Sequence, residues 1–191
     1  MEDLTTKSGP RNFPKVFAFV GLSTIISFIV VYYSCVRINE SSYEYNEYEN
    51  KNKRIKFVST GGSIDGQDDF TYKRFLNLIQ KSKYKEHFIM LGWLPFHNLP
   101  DICLESDLGL NIDKNCYETL LGSRHRLLDW MKAGLPFVTT TPSEFTQLLC
   151  NKKLAFPFNS GDADSLSATI LKLSKNGKIL GNYSFRIKSF V

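Results

Sequence analysis

Short apolar runs alternate with amphipathic segments from residue 55 onward, and this alternation limits the possible folds more strongly than any other feature. The first run, residues 55–60, is β-branched and stops at Gly61-Gly62, as a buried strand entering a tight turn does. Residues 70–79 repeat apolar side chains at helical spacing. Further strands are predicted at 87–91, 107–112, 135–140 and 154–158, and further helices at 101–105, 124–133, 143–150 and 164–175.

Strands that alternate with helices in this way form a parallel sheet covered on both faces, with right-handed crossovers. We therefore predict an α/β domain with a single doubly wound, Rossmann-like and mostly parallel sheet of about five strands. Its expected extent is residues 54–191.

The chain before this domain contains an apolar run, residues 16–36, without a charged side chain. About 20 such residues cross a hydrocarbon core in helical form, so the run predicts one transmembrane helix. A signal peptide and a buried core helix are the alternatives, which the length of the run and the lack of a small-residue cleavage site disfavour. The expected organisation is a tail (1–15), a membrane helix (16–36) and a polar, flexible spacer (37–53), which gives a single-pass membrane protein.

Composition excludes several other classes of protein. The net charge of +5 comes from basic residues interleaved with acids, so no nucleic-acid surface is indicated. The cysteines Cys35, Cys103, Cys116 and Cys150 lie far apart without a C-x-x-C pair, and the three histidines lack metal-ligand spacing. We expect no metal site and no nucleic-acid partner.

Ligands of doubly wound sheets bind at the carboxyl ends of the strands, where the first candidate is the glycine pair. The backbone of Gly61 and Gly62 can approach a phosphate closely, with amide groups directed at the anion. A tight turn without a binding role is the more common reason for two glycines after a strand.

The second candidate is the segment 118–129, which runs from a loop into a predicted helix. Ser123 and Arg124 stand at the helix N-terminus, where amide donors, the helix dipole and a guanidinium together favour an anion. Asp129, further along the helix, can accept hydrogen bonds from a ribose diol. The alternative is that Arg124, Arg126 and Asp129 line a solvated helix face and pair with one another.

Motifs between Gly92 and Phe158 favour the binding interpretation, because their order resembles the donor domain of family 4 GT-B glycosyltransferases. The matching segments are GWLPF, ESDLGLNI, ETLLGSRHRLLDWMKAGLPFVTT and FPFNSGDADSL. They are similar to a branch with the loop E-T-x-x-x-x-R-T-R-x-L-D-Y, in which His125 here replaces a threonine. The resemblance implies that Glu118 lies near the sugar and pyrophosphate, that Arg124 contacts phosphate, and that Asp129 binds the ribose.

The resemblance therefore implies catalytic roles for Glu118 and Arg124 and a donor site that also includes Gly61, Gly62, Ser123 and Asp129. GT-B enzymes place the acceptor on a second domain, for which the residues before position 54 are too few. We predict one donor domain of a truncated or split glycosyltransferase. It would use a nucleotide sugar and no other cofactor, act on a membrane-associated acceptor, and need a separate acceptor-domain subunit. The alternative is a non-catalytic, membrane-tethered module that binds a nucleotide sugar or a partner.

Overall fold

The computed structural model describes residues 31–38, 55–63, 69–122 and 124–191. Six strands in this part of the chain form one sheet with the order β3-β2-β1-β4-β5-β6. They are β1 (Val31–Ile38), β2 (Ile55–Gly61), β3 (Phe88–Met90), β4 (Leu108–Asn111), β5 (Phe137–Thr139) and β6 (Phe156–Pro157).

The sheet consists of two parallel blocks that are joined through β1. Strands β2 and β3 pair in parallel, as do β4, β5 and β6. Strand β1 is antiparallel to both β2 and β4, so those two strands point the same way. All five parallel strands therefore end at one edge of the sheet, which we call the carboxyl edge. The predicted α/β class with parallel strand pairing is confirmed, and the antiparallel strand is an addition.

Seven α-helices in the described residues connect and cover these strands. They are α1 (Asp69–Lys81), α2 (Leu99–Leu104), α3 (Tyr117–Leu121), α4 (His125–Ala133), α5 (Glu144–Asn151), α6 (Ala163–Ser174) and α7 (Gly177–Phe190). Short 3₁₀ segments at Lys85–His87 and Phe96–Asn98 precede β3 and α2. None of the helices among the described residues is long and apolar enough to span a membrane.

The predicted transmembrane helix is wrong where the structure describes it. Residues 31–36 of that run belong to β1, whose backbone pairs with β2 from Val31 to Ile38 and with β4 at Cys35 and Val36. A run rich in valine and tyrosine suits a central strand as well as a helix, and cross-strand pairing decides between them here. The rest of the predicted helix, and the spacer after Ile38, lie outside the described residues.

Helix ends follow local sequence signals. Helix α4 stops at Gly134, whose φ of 69° is the left-handed conformation that glycine adopts without strain. The Leu135 amide then donates to the Trp130 carbonyl at 2.8 Å and closes the cap. Helix α6, predicted to start at residue 164, is capped by Asp162, whose carboxylate accepts from the Ser165 amide at 2.9 Å.

Apolar cores cover both faces of the sheet. One core packs α2, α4, α5 and α7 around Trp130 and Phe137, and the other packs α6 against alternate residues of β4. A smaller cluster, centred on Phe75 and Ile79, joins α1 to β2 and β3. Strands β4 and β5 are buried throughout, which leaves the carboxyl edge as the surface where their loops can meet a ligand.

Candidate functional site

The last residue of β4 has a polar side chain that lies in the protein interior. Asn111 is fully buried, and its amide nitrogen donates to Asp113 Oδ2 at 2.8 Å and to Thr139 Oγ1 at 2.9 Å. Its amide oxygen accepts from Arg126, at 2.9 Å from Nε and 2.7 Å from Nη2. A buried amide with all these bonds made stabilises the loop beyond β4, because each unmade bond would cost free energy.

Asp113 links this amide to a second arginine. Its side chain is only 5% exposed, and Oδ1 accepts from Arg124 Nε at 3.0 Å. The same oxygen lies 3.6 Å from Arg126 Nη2. The negative charge thus lies between two guanidinium groups, both of which remain about one-fifth to one-quarter exposed at the carboxyl edge.

Arg124 also contacts the exposed acid Glu118. Its Nη1 lies 3.1 Å from Glu118 Oε1, and the Glu118 side chain is 70% exposed. Burial alone would lower the pKa of the Arg124 guanidinium, but the charges and hydrogen bonds of Asp113 and Glu118 outweigh burial and raise it. The guanidinium is therefore a permanent cation at the N-cap position of α4.

Backbone contacts from three other segments fix the loop that holds these charges. The Asp113 amide donates to Thr140 Oγ1 at 2.9 Å, and the Asp113 carbonyl accepts from Ser160 Oγ at 3.0 Å. The Thr119 hydroxyl donates to the Lys114 carbonyl and lies 3.1 Å from the Cys116 amide. Because the residue after β5, the loop after β6 and helix α3 all contribute, the position of this loop depends on the whole block of strands.

A groove lies beside α4, between this helix and α2. It has a volume of about 310 Å³, and Asp129 and Lys132 are its charged lining residues. The other lining residues are apolar or small: Phe96, Leu99, Pro100, Cys103, Leu104 and Ala133. Asp129 is one-third exposed and lies 3.8 Å from Lys132. Burial, followed by the charge of Asp129, raises the pKa of the Cys103 thiol to about 11. An apolar groove with one carboxylate has the size and character of a small-ligand site.

The glycine turn after β2 has different surroundings. The Gly61 amide donates to the Gly92 carbonyl at 2.6 Å, and Trp93 Nε1 donates to the Ser63 carbonyl at 3.3 Å. A side chain at Gly62 would come within 3.3 Å of the Trp93 indole nitrogen. The turn thus packs against the loop that follows β3, and close approach to that loop is a reason for glycine here.

Large apolar side chains also project from the carboxyl edge. Tyr117 and Leu121 on α3 are 84% and 86% exposed. Phe96 and Trp93 after β3, and Phe70 at the start of α1, are more than half exposed as well. Several exposed large apolar residues at the ends of neighbouring strands are typical of a surface that another molecule covers.

The structure places the predicted site residues in three locations. Glu118 and Arg124 are in direct contact. Gly61 and Gly62 lie on the same edge of the sheet, but β1 stands between β2 and β4. Asp129 lines the groove, five residues along α4 from Arg124, which is about 7.5 Å along a helix axis. Ser123 lies outside the described residues.

Sequence reasoning missed Asp113, which binds Arg124, and the buried residues that hold Asp113 in place. Asn111, Asp113 and Thr140 were not proposed, and Arg126 was considered only as part of a solvated helix face. One signal was present: Asn111 interrupts an apolar strand at its carboxyl end, where a polar residue needs a partner. Among the described residues no group of three or more histidine, cysteine, aspartate or glutamate side chains could hold a metal ion.

Comparison with solved structures identifies the class of fold. HepE (Alr3699) from Anabaena, solved in complex with UDP and glucose, superposes with a TM-score of 0.59 at 15% sequence identity, covering 70% of this chain and 34% of HepE. WaaG, a glycosyltransferase involved in lipopolysaccharide biosynthesis, gives 0.55 at 13% identity, covering 70% and 32%. Sucrose-phosphate synthase from Thermosynechococcus elongatus gives 0.55 at 13%, covering 69% and 33%.

These similarities show that the described chain has a glycosyltransferase-like, Rossmann-type fold. The chain spans about a third of the length of the structures that it matches. No family model matches the sequence. No curated protein matches it either.

Proposed function

We propose that this chain is the donor-binding domain of a glycosyltransferase that uses a nucleotide-activated sugar, as the family 4 resemblance implies. The observation that carries the proposal is the Arg124 guanidinium, held at the carboxyl edge by Asp113 and Glu118 at the N-terminus of α4. A cation in this place favours the diphosphate of a nucleotide sugar and the negative charge that develops as it leaves. The fold supports the same proposal, because HepE was solved with UDP and with UDP-glucose.

The groove provides a place for the nucleoside of this donor. A ribose at Asp129 would direct its base into the apolar groove and its phosphates along α4 towards Arg124. From the other side of β1, Gly62 would contribute its backbone amide. Gly61, whose own amide donates to the Gly92 carbonyl, would hold the turn in place. Ser123 would add a hydroxyl beside Arg124. Glu118 would contact the sugar and, with Arg124, act directly on the reacting groups.

Transfer also needs an acceptor-binding part, which we propose is a further domain or a separate subunit. The exposed apolar residues of the carboxyl edge support this proposal, since such a part would cover them. A membrane-associated acceptor and a membrane location remain predictions from the apolar run of residues 16–36, of which 31–36 belong to β1 and 16–30 lie outside the described residues. A domain that bound the donor without transferring the sugar would instead be a nucleotide-sugar-binding module.

Calorimetric titration of the full chain tests the donor site. UDP, UDP-glucose, ADP-glucose and GDP-mannose should be compared, and at least one nucleotide sugar should bind. We expect Arg124→Ala to weaken that binding by about 1.5 to 3 kcal/mol, as for the loss of a charged hydrogen bond. The matched control is Arg74→Ala, which removes an exposed arginine from α1.

A second variant tests the assignment of the ribose. Asp129→Ala should weaken binding of UDP but not of inorganic pyrophosphate, which lacks a ribose. If no nucleotide sugar binds, or if Arg124→Ala and Arg74→Ala behave alike, the donor-site proposal is wrong. Release of UDP from UDP-glucose by the full chain with sugar acceptors would favour the enzyme, whereas binding without release would favour the module.

A further inference from the structure

The two acids that contact Arg124 differ sharply in their surroundings. Asp113 is 5% exposed, whereas Glu118 is 70% exposed. Asp113 accepts from Asn111 and Arg124 through its two carboxylate oxygens, and its main chain is bonded to Thr140 and Ser160. Glu118 reaches Arg124 from the solvent side, at the first turn of the short helix α3.

We infer that Asp113 is a positioning residue that fixes the Arg124 guanidinium, and that Glu118 is a displaceable partner whose place a bound phosphate group takes. The inference rests on the proposed function for the class of ligand, a diphosphate. Asp113 accepts a hydrogen bond from Nε of Arg124, and Glu118 accepts one from Nη1. A phosphate oxygen can therefore replace Glu118 at Nη1 while Nε stays bonded to Asp113.

The burial of the two acids determines which contact breaks first. Separating Arg124 from Asp113 would leave a carboxylate inside the protein with fewer partners, which is costly. Separating Arg124 from Glu118 returns a carboxylate to water, and exposed ion pairs of this kind contribute little stability. An anion arriving from solvent thus competes with the weaker of the two contacts. An anion must therefore displace Glu118 before it can bind Nη1 of Arg124, and a weakly binding anion does not do so.

Titration of the full chain with inorganic pyrophosphate tests this arrangement. Glu118→Gln removes the competing charge and should bind pyrophosphate several-fold more tightly than the wild type. Asp113→Asn should bind it on the order of tenfold more weakly, because the guanidinium loses its fixed partner. The matched control is Glu144→Gln, which neutralises an exposed acid in the first turn of another helix, α5, and should change nothing.

The positioning role has its own readout in the NMR signal of the Arg124 Nε–H group. We expect a signal protected from solvent exchange in the wild type and in Glu118→Gln, and lost in Asp113→Asn. The protection should persist when pyrophosphate saturates the wild-type protein. In an Arg124→Ala background, Asp113→Asn should have no further effect on pyrophosphate binding, whereas a general structural role would weaken binding there too.

Two results would overturn the inference. One is that Glu118→Gln binds pyrophosphate no more tightly than the wild-type protein does, or that neither protein binds it. The other is loss of Nε–H protection when pyrophosphate binds to the wild type, a measurement that does not depend on whether Asp113→Asn folds. The proposed function fails separately, if pyrophosphate behaves as expected but no nucleotide or nucleotide sugar binds better than pyrophosphate.

Discussion

The two parallel blocks on either side of β1 have opposite characters. In the β4–β5–β6 block, β4 and β5 are buried throughout, and the carboxyl edge carries charged side chains that bind one another. In the β2–β3 block, β3 is only partly buried and the described core cluster is small, centred on Phe75 and Ile79. Its part of the edge carries glycine turns and the half-exposed Trp93.

This difference indicates that the two blocks have different roles in binding. A fixed pair of opposite charges such as Asp113 and Arg124 needs rigid, well-packed surroundings, because desolvated charges are stable only when their partners stay in place. The larger cores include residues of β4, β5 and α4, and that pair lies just after β4 and at the start of α4. The other block offers backbone and aromatic surface, which suits contact with a second molecule better than charge recognition.

The largest expected effect comes from removing the strand that connects the blocks. A chain lacking residues 1–38 loses β1, and β2 and β4 then each lose one of their two neighbours in the sheet. We expect loss of cooperative unfolding in urea, followed by circular dichroism. A chain lacking residues 1–30 keeps β1 and is the control. Equal midpoints for the two truncated chains would show that the blocks do not depend on β1.

A smaller effect tests how tightly the β4–β5–β6 block is packed. A Cβ at Gly109 would lie 2.7 Å from the Trp130 ring and 2.9 Å from the Phe137 Cβ. Gly109→Ala should therefore lower the free energy of unfolding by about 1 to 3 kcal/mol through overpacking.

The control for this substitution is Gly181→Ala in the exposed part of α7, where nothing lies within 4 Å of the new Cβ. It should leave stability unchanged or raise it by about 0.5 to 1 kcal/mol, as alanine favours helix over glycine. Urea titration of both variants measures the contrast. If the two substitutions have the same effect, the close contact at Gly109 is not rigid.

The smallest expected effect on the fold is that of alkylating single cysteines, whose reaction rates compare the edge of this block with its interior. Hydrogen bonds from the side chain and backbone of Thr119 lower the pKa of the Cys116 thiol. Burial raises the pKa of Cys150 to about 11, and burial with the nearby Asp129 does the same for Cys103. At pH 8, Cys116 should be alkylated by iodoacetamide much faster than the other two, because only the thiolate reacts.

Peptide mapping by mass spectrometry resolves these three sites. As pH rises towards 11, the rates at Cys103 and Cys150 should increase, whereas that at Cys116 should level off earlier. The proposed function predicts that UDP slows the reaction of Cys116, which lies two residues from Glu118. Reaction of Cys150 ahead of Cys116 at pH 8 would contradict the expected order.

Periodicity predicted the parallel strands well, but it could not predict the strand that joins them. Apolar spacing reports which face of an element is buried, so β2, β4 and α4 were assigned close to their observed positions. The run at residues 31–36 has no charged side chain and no clear apolar period, and such a run does not distinguish a helix from a central strand. Helix α7 was missed because Gly177, Gly181 and several polar residues weaken its pattern.

The candidate site was predictable only where a motif was contiguous in sequence. Glu118 and Arg124 are six residues apart in one loop, and the family resemblance pointed to both. Asp113 is a single acid after a strand, and its partners Thr140 and Ser160 come from distant segments. No local pattern marks a residue whose environment is assembled by three strands, so the structure was needed to find it.

The antiparallel strand also has a consequence for the order of events during synthesis. A ribosome completes β1 first and β2 soon afterwards, but β4 only much later in the chain. Until β4 emerges, one side of β1 exposes unpaired amide and carbonyl groups, and such an edge can pair with a strand of another nascent chain. Rapid overproduction should therefore favour aggregates, and slower translation at lower temperature should raise the soluble yield.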